Sequence, residues 1–202
     1  MPQATECLVV VITGPIASGK STVGRELAHE LERAGVPVAI IDLDDVHDRL
    51  ASDGPETDQV TWAAARRKAA TLANAFLAEG RAVVIAEGSF NTPGDRAEFG
   101  QYLDASVAPV YVTLRVSFDE ALRRAQGDPT RGVSRDPAFL GRYFAGIGQA
   151  LPTPATDFVI ETERTSPSSA AVSIAHLVSP DSYTAVTRTG RPGEAPVIRH
   201  GQ

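Results

Sequence analysis

Gly14-Pro15-Ile16-Ala17-Ser18-Gly19-Lys20-Ser21 fits G-x-x-x-x-G-K-[ST], a spacing whose chemistry is the cradling of phosphate. Glycines in such a turn let backbone N–H groups curl around phosphate oxygens, and a following helix adds the partial positive charge of its N-terminus. In this pattern Lys20 reaches the β- and γ-phosphates and the Ser21 hydroxyl sits on Mg2+. Gly14, Ala17, Ser18, Gly19 and Thr22 complete the set expected against a nucleotide. Lys20 also stands out by type, because the chain has two lysines, Lys20 and Lys68, against seventeen arginines. A compact ammonium on a flexible stem fits under a phosphate as a point charge, which a planar guanidinium does not.

A second group is Asp42-Leu43-Asp44-Asp45. Clustered carboxylates beside a triphosphate repel it, so they need a reason. A carboxylate can hold Mg2+, usually through water, or take the proton of an attacking hydroxyl. If the chain stays extended, Asp42 and Asp44 share a direction. Asp44 is then the candidate base, Asp42 a helper to metal or substrate, and Asp45 the candidate helix N-cap. Glu87, between an apolar run and Gly88-Ser89, is a third candidate for metal or substrate contact. Arg123, Arg124, Arg131 and Arg135 surround a glycine-bearing stretch at about 126–136. Arginines on a closing lid would neutralise charge on a transferring phosphoryl group and exclude water. Arg66 and Arg67 read as a solvated helix face, while Trp62 and Phe90 either line an acceptor pocket or pack in the core.

The elements that must position these residues alternate in type. Leu8–Thr13 is an apolar, β-branched run ending at the glycine turn, and Val23, Leu27 and Leu31 then recur four apart on one helical face. Further strands are expected at 38–42, 81–87, 110–116 and 157–161. Helices are expected to Ala34, over 46–50, 58–79, from Pro93, from Phe118, from Pro137 to about Gly148, and from Pro167 to about Val178. Thr92, Ser117 and Ser166 read as N-caps, with Ser117 and Glu120 forming a capping box. Strand–helix alternation points to a parallel sheet covered on both faces. The domain is expected over 1–179, with the Thr-, Gly-, Pro- and Arg-rich stretch 180–202 as a tail.

At 202 residues and 43% apolar composition, the chain supports one substantial core. A net charge of −6, with no run of five basic residues, disfavours a grip on long nucleic acid. Cys7 is the single cysteine, expected as a small buried filler, which excludes an intrachain disulfide and a cysteine metal cluster. His29, His176 and His200 have no partners at ligand spacing. No apolar stretch reaches membrane-spanning length and no signal-peptide pattern precedes the first strand, so a cytoplasmic protein is expected. Nothing in the sequence points to an oligomeric state.

The glycine-rich loop, the Asp-x-Asp-Asp-Val stretch ending the second strand and the arginine-rich segment before the second-last helix together resemble the small P-loop kinases. That cluster includes adenylyl-sulfate kinases, the chloramphenicol phosphotransferase type, gluconate and shikimate kinases, and the kinase half of phage polynucleotide kinase. The resemblance covers roughly residues 7–178. It implies a three-layer α/β nucleotide kinase-like P-loop fold with a five-stranded parallel sheet. It also implies ATP and Mg2+ as cofactors, a small-molecule hydroxyl as acceptor, Asp44 as base, and Arg124 and Arg131 as lid arginines. Lys20, Ser21, Asp42 and Glu87 would take the phosphate and metal roles, and the turn Thr162–Thr165 would meet the adenine. Where the polynucleotide kinases usually carry an arginine three residues after the base, this chain has His47. Phosphorylation of a nucleoside or polynucleotide end, and a nucleotide-dependent regulator, are the rival readings. No Asn-Lys-x-Asp guanine-reading stretch occurs.

Overall fold

A computed structural model describes residues 7–51, 58–147 and 158–178. Strands β1 (Leu8–Thr13), β2 (Val38–Asp42), β3 (Val83–Gly88), β4 (Pro109–Arg115) and β5 (Phe158–Glu161) form one parallel sheet in the order β2-β3-β1-β4-β5. Helices α1 (Lys20–Arg33), α2 (Leu43–Ala51), α3 (Asp58–Ala78), α4 (Pro93–Gly100), α5 (Phe118–Gly127), α6 (Pro137–Ile147) and α7 (Pro167–Leu177) connect or follow the strands. The parallel sheet is the one expected from the alternation, and its five strands with helices between them fit the α/β P-loop fold that the resemblance implies.

The continuous apolar run of β1 follows from its central place, since all six residues are buried. Leu8, Val10 and Ile12 face a core layer with Val23, Leu27 and Leu31 of α1 and Ile174 of α7. Val9 and Val11 face the opposite layer, with Ala65, Ala69 and Ala73 of α3 and Phe90 and Phe99. Small residues on α3 let that long helix lie close to the sheet. Backbone bonds from Gly35 N to Glu32 O (2.9 Å) and from Val36 N to Leu31 O (3.0 Å) close α1 as a Schellman turn.

Register decides what meets at the carboxyl edge. Thr13 of β1 lies opposite Gly88 of β3, and Asp42 of β2 lies opposite Glu87. The glycine turn after β1, the aspartates after β2 and Glu87 therefore share one edge, where open α/β sheets bind ligands.

Several expectations are corrected. Cys7 is exposed, because it precedes the first buried residue of β1 rather than packing under it. The second helix begins at Leu43, not Val46, so extension stops at Asp42. Leu43 is fully buried and closes against Gly88, turning the chain inward one residue after the strand. The cap of α2 is Asp42, whose Oδ1 accepts from Asp44 N at 2.9 Å, and not Asp45, which is exposed in the first turn. At α5, Ser117 Oγ accepts from Glu120 N (3.3 Å), but Glu163 takes the Ser117 N–H that a reciprocal box would give to Glu120. The candidate turn at 52–56, His200 and the tail lie outside the described residues.

Gly88 has φ +147°, and a Cβ there would stand 2.5 Å from Leu43 Cβ. Gly88→Ala is expected to destabilise the fold by about 3 kcal/mol through backbone strain and overpacking. The shift of a urea unfolding midpoint measures it, and an unchanged midpoint would refute the close approach.

Candidate active site

The glycine turn is built for a guest on its concave side. Gly14 has φ +149°, and a Cβ there would lie 2.5 Å from Leu114 O and 2.9 Å from Ser18 Oγ, so only glycine fits. Ala17 holds φ 62°, a left-handed conformation that a non-glycine residue adopts at a cost. Ser18 Oγ is buried and has no hydrogen-bond partner among the described residues. A strained loop with an orphaned hydroxyl and the α1 N-terminus behind it suits phosphate oxygens. Gly19 caps α1 in the left-handed region, leaving the first N–H groups of the helix without a side-chain cap.

Lys20 Nζ donates to Gly14 O (3.1 Å) and Pro15 O (3.2 Å), bracing the loop from within. Burial pushes its pKa below the usual lysine value, opposed by the carboxylates of Asp44 and Glu87. Ser21 Oγ donates to Glu87 Oε2 at 2.9 Å, joining the first turn of α1 to the end of β3. Ser21, Asp42 and Glu87 thus share one edge of the sheet. Among the described residues no group of three His, Cys, Asp or Glu side chains could hold a metal, so Mg2+ here needs water and phosphate oxygens to complete its shell.

Glu87 is buried, and that burial, with the nearby Asp42 charge, pushes its carboxyl up to about 7. The folded protein therefore binds a proton more tightly than the unfolded chain between about pH 4.5 and 7, and this group's contribution to stability falls as pH rises through that window. Glu87→Gln is expected to match wild type at pH 4.5 and to exceed it by about 2 kcal/mol at pH 8. Paired thermal melts across pH read the difference. A gap that is constant with pH would show that folding leaves the Glu87 pKa unshifted.

Asp44 sits in the first turn of α2, open to solvent on one side of the cleft. Its pKa is raised by enclosure in the cleft walls, with Lys20 pulling it down and Asp42 and Asp48 pushing it up. Although extension fails after Asp42, one helical turn still brings Asp44 within electrostatic reach of Lys20.

The arginines separate by role. Arg131 lies in the turn between α5 and the short 3-10 segment Val133–Arg135, its Nε 3.3 Å from Asp128 Oδ2, and its charge is felt at Lys20. Arg124 on α5 is a brace: Nε donates to Glu120 Oε1 (2.7 Å), Nη2 to Thr162 O (2.8 Å) and Nη1 to Ala17 O (3.4 Å). It links the strained loop residue to the turn after β5. Arg123 pairs with Glu120, whose carboxyl the two arginines hold down to about 2. Arg135 donates to Gln126 O at 3.4 Å, away from the loop.

On the acceptor side one reading changes and an open alternative closes. Arg66 is largely buried rather than solvated, 2.8 Å from Asp95 Oδ1 and 3.3 Å from Ser89 O. Arg67 pairs with Glu98 at 3.2 Å. Phe90 is a core residue packed edge-on against Phe99 at 5.1 Å, and Trp62 is half-buried with its ring stacked 3.8 Å from His47. A link that sequence reasoning missed is buried: Thr13 Oγ1 accepts from Phe90 N (3.2 Å) and donates to Asn91 Oδ1 (3.0 Å). The Asn91 amide and the Ile16 backbone in turn face the Tyr143 hydroxyl of α6, whose pKa burial raises. The only signal for it was polarity at the end of two buried strands. A separate cavity of about 410 Å³ opens beside Pro15, between Val116, Ser117, Phe144 and Glu163, on the β4–β5 side. It contains neither Lys20 nor Asp44.

Residues 9–136 match the family described as AAA domain. Solved structures share the fold at low identity. An APS kinase CysC from Mycobacterium tuberculosis, in complex with AMPPNP and APS, aligns with TM-score 0.68 and 21% identity over 86% of this chain and 98% of its own. The crystal structure of APE1195 aligns with TM-score 0.64 and 21% identity over 87% of this chain and 96% of its own. A cysteine-to-alanine mutant of the same APS kinase gives 0.61 and 18% identity over 86% and 97%. No curated protein matches. With the glycine turn, the parallel sheet order and a family match spanning more than half its length, the chain belongs to the AAA domain family of P-loop proteins and has a small P-loop kinase fold.

Proposed function

We propose that the chain is an ATP-dependent phosphotransferase that moves a γ-phosphoryl group to a hydroxyl of a small molecule. The observation that carries this is Asp44 on the open side of the glycine turn, within electrostatic reach of Lys20. A nucleotide-dependent switch has no need of a carboxylate there. P-loop kinase-type architecture, shared with an enzyme solved in complex with AMPPNP, supports a triphosphate in the cradle. At 21% identity that enzyme's acceptor, APS, does not carry over.

The cradle's fit to phosphate rests on the orphaned Ser18 hydroxyl and the room that Gly14 leaves. Ser18, Gly19, Lys20, Ser21 and Thr22 would hold the phosphates, with Ser21, Asp42 and Glu87 on the metal side. Magnesium, when bound, neutralises charge on the phosphate oxygens. Asp44 takes the acceptor's hydroxyl proton as that oxygen bonds to phosphorus and the bond to the ADP oxygen breaks. Lys20 and Arg131 stabilise charge on the phosphoryl oxygens, and Arg124 keeps Ala17 and the Thr162 turn in place. The adenine of the nucleotide would lie on the side of Thr162–Thr165.

Among the described residues no helix is long and apolar enough to cross a membrane. The net charge of −6 supports a small acceptor over long nucleic acid. A screen for ADP release over hydroxyl-bearing compounds, followed by product mass, tests the reading. A product heavier by one phosphoryl group is expected. Release of inorganic phosphate alone, with every compound, would replace the kinase with an ATPase.

A further inference from the structure

One peptide of the glycine turn is held at both ends. Lys20 Nζ donates to Pro15 O at 3.2 Å, and the N–H of the same peptide, on Ile16, donates to the Tyr143 hydroxyl. That phenol comes from α6, and its half-buried ring packs with Ala17, Ala121, Ala125 and Leu140. A second donor reaches the same oxygen from beyond the end of β3. Thr13 Oγ1 gives its proton to Asn91 Oδ1 (3.0 Å), so the amide nitrogen of Asn91 is what remains for Tyr143. Thr13 and Asn91 are buried, which fixes this support from behind. A phenol has one proton to give and an oxygen that accepts. Ile16 and Asn91 both give to that oxygen, so neither takes the Tyr143 proton. Two carboxylates lie close enough for their charge to be felt at the hydroxyl, Asp44 and Asp95. Asp95 is committed elsewhere, with Oδ1 on Arg66 (2.8 Å) and Oδ2 on Thr92 N (2.9 Å). Asp44 is the base of the reading above. The hydroxyl therefore stands on the glycine turn at the edge nearer the base, beside the path from one to the other.

We propose that Tyr143 is a further catalytic residue, its O–H donating to an oxygen of the phosphoryl group as that group leaves the glycine turn for the acceptor. The proposal rests on the kinase reading above and adds a neutral donor to the cations Lys20 and Arg131. The tyrosine keeps its proton throughout. The bonds that change are those of phosphorus to the ADP oxygen, which breaks, and to the acceptor oxygen, which forms, while the acceptor's proton goes to Asp44. Burial holds the phenol in its protonated form, so it stays a donor beside the carboxylates. A donor already fixed by two bonds to its oxygen needs no reorganisation when charge shifts onto the phosphoryl oxygens, and such donors act most strongly in the transition state.

Tyr143→Phe removes the hydroxyl and keeps the ring. In a single turnover with ATP and magnesium, loss of the γ-phosphoryl group is expected to slow by about 50-fold, with AMPPNP affinity by calorimetry within about twofold of wild type. Equal rates overturn the proposal. So does a fall in AMPPNP affinity that matches the fall in rate, because the hydroxyl would then only shape the turn. Thr13→Val separates the hydroxyl from its support, since it cuts the link to Asn91 and leaves the phenol in place. This variant is expected to melt at a lower temperature and to keep its rate within about threefold of wild type. A loss as large as that of Tyr143→Phe would make the chain of bonds purely structural and overturn the proposal. The measurement needs no identified alcohol, because transfer to water reads the same departure of the phosphoryl group. Inorganic phosphate as the sole product with every alcohol screened overturns the kinase reading, and the Tyr143→Phe rate ratio still decides the role of the hydroxyl.

Discussion

Lys20→Ala is expected to reduce ADP release below detection and to weaken AMPPNP binding by about 100-fold. The ammonium is the cation inside a loop edged by Asp42, Asp44 and Glu87, all of whose charges act on it. Without it those carboxylates face a triphosphate directly, and Gly14 O and Pro15 O lose the donor that braces the turn. Lys20→Arg tests the shape of the cation separately from its charge. A planar guanidinium cannot bond both carbonyls and reach phosphate from the same enclosed stem, so this variant is also expected to be inactive. Calorimetric titration with AMPPNP and magnesium measures the first effect. Affinity within a few-fold of wild type in Lys20→Ala would mean that the triphosphate lies elsewhere.

Asp44→Asn should lower product formation by about a thousand-fold while AMPPNP affinity changes little, the pattern of a group that acts on the reacting proton. The amide keeps the size of the side chain but cannot take the hydroxyl proton. Because the Asp44 pKa is raised, wild-type turnover should fall on the acid side at a pH above the ordinary aspartate range. That limb reflects loss of the ionised base as pH drops through the folded-state pKa, and it should vanish from the residual activity of the variant. Wild-type-like turnover in Asp44→Asn would remove this residue from the mechanism. A matching fall in AMPPNP affinity would recast it as a phosphate-side group.

Much of the site could be read before the fold. G-x-x-x-x-G-K-S between an apolar β-branched strand and an amphipathic helix is a local pattern, and local patterns survive folding because their bonds close within a few residues. Gly14 and Lys20 are examples, the one needing an unusual backbone angle and the other a bond to its own loop. Periodicity likewise located β1, whose six buried residues need both sheet faces covered. The start of α2 was missed because it depends on Leu43 closing against Gly88, forty-five positions away in the chain. That contact stops the strand, makes Asp42 the cap and sets Asp44 on a helix.

Taken alone, the order of residues determined the phosphate loop and the strand–helix alternation, and it put Lys20, Asp44 and Glu87 forward as candidates for one chemistry. These follow from backbone geometry and charge acting over short stretches. Tertiary structure alone decided that Arg66 and Arg67 are neutralised by Asp95 and Glu98, that Trp62 stacks on His47, and that Glu87 holds Ser21 while its carboxyl rises to about 7. Each of these depends on which distant side chain arrives within a few ångströms. Ion pairing and desolvation are set by that proximity, and no reading along a single strand or helix contains it.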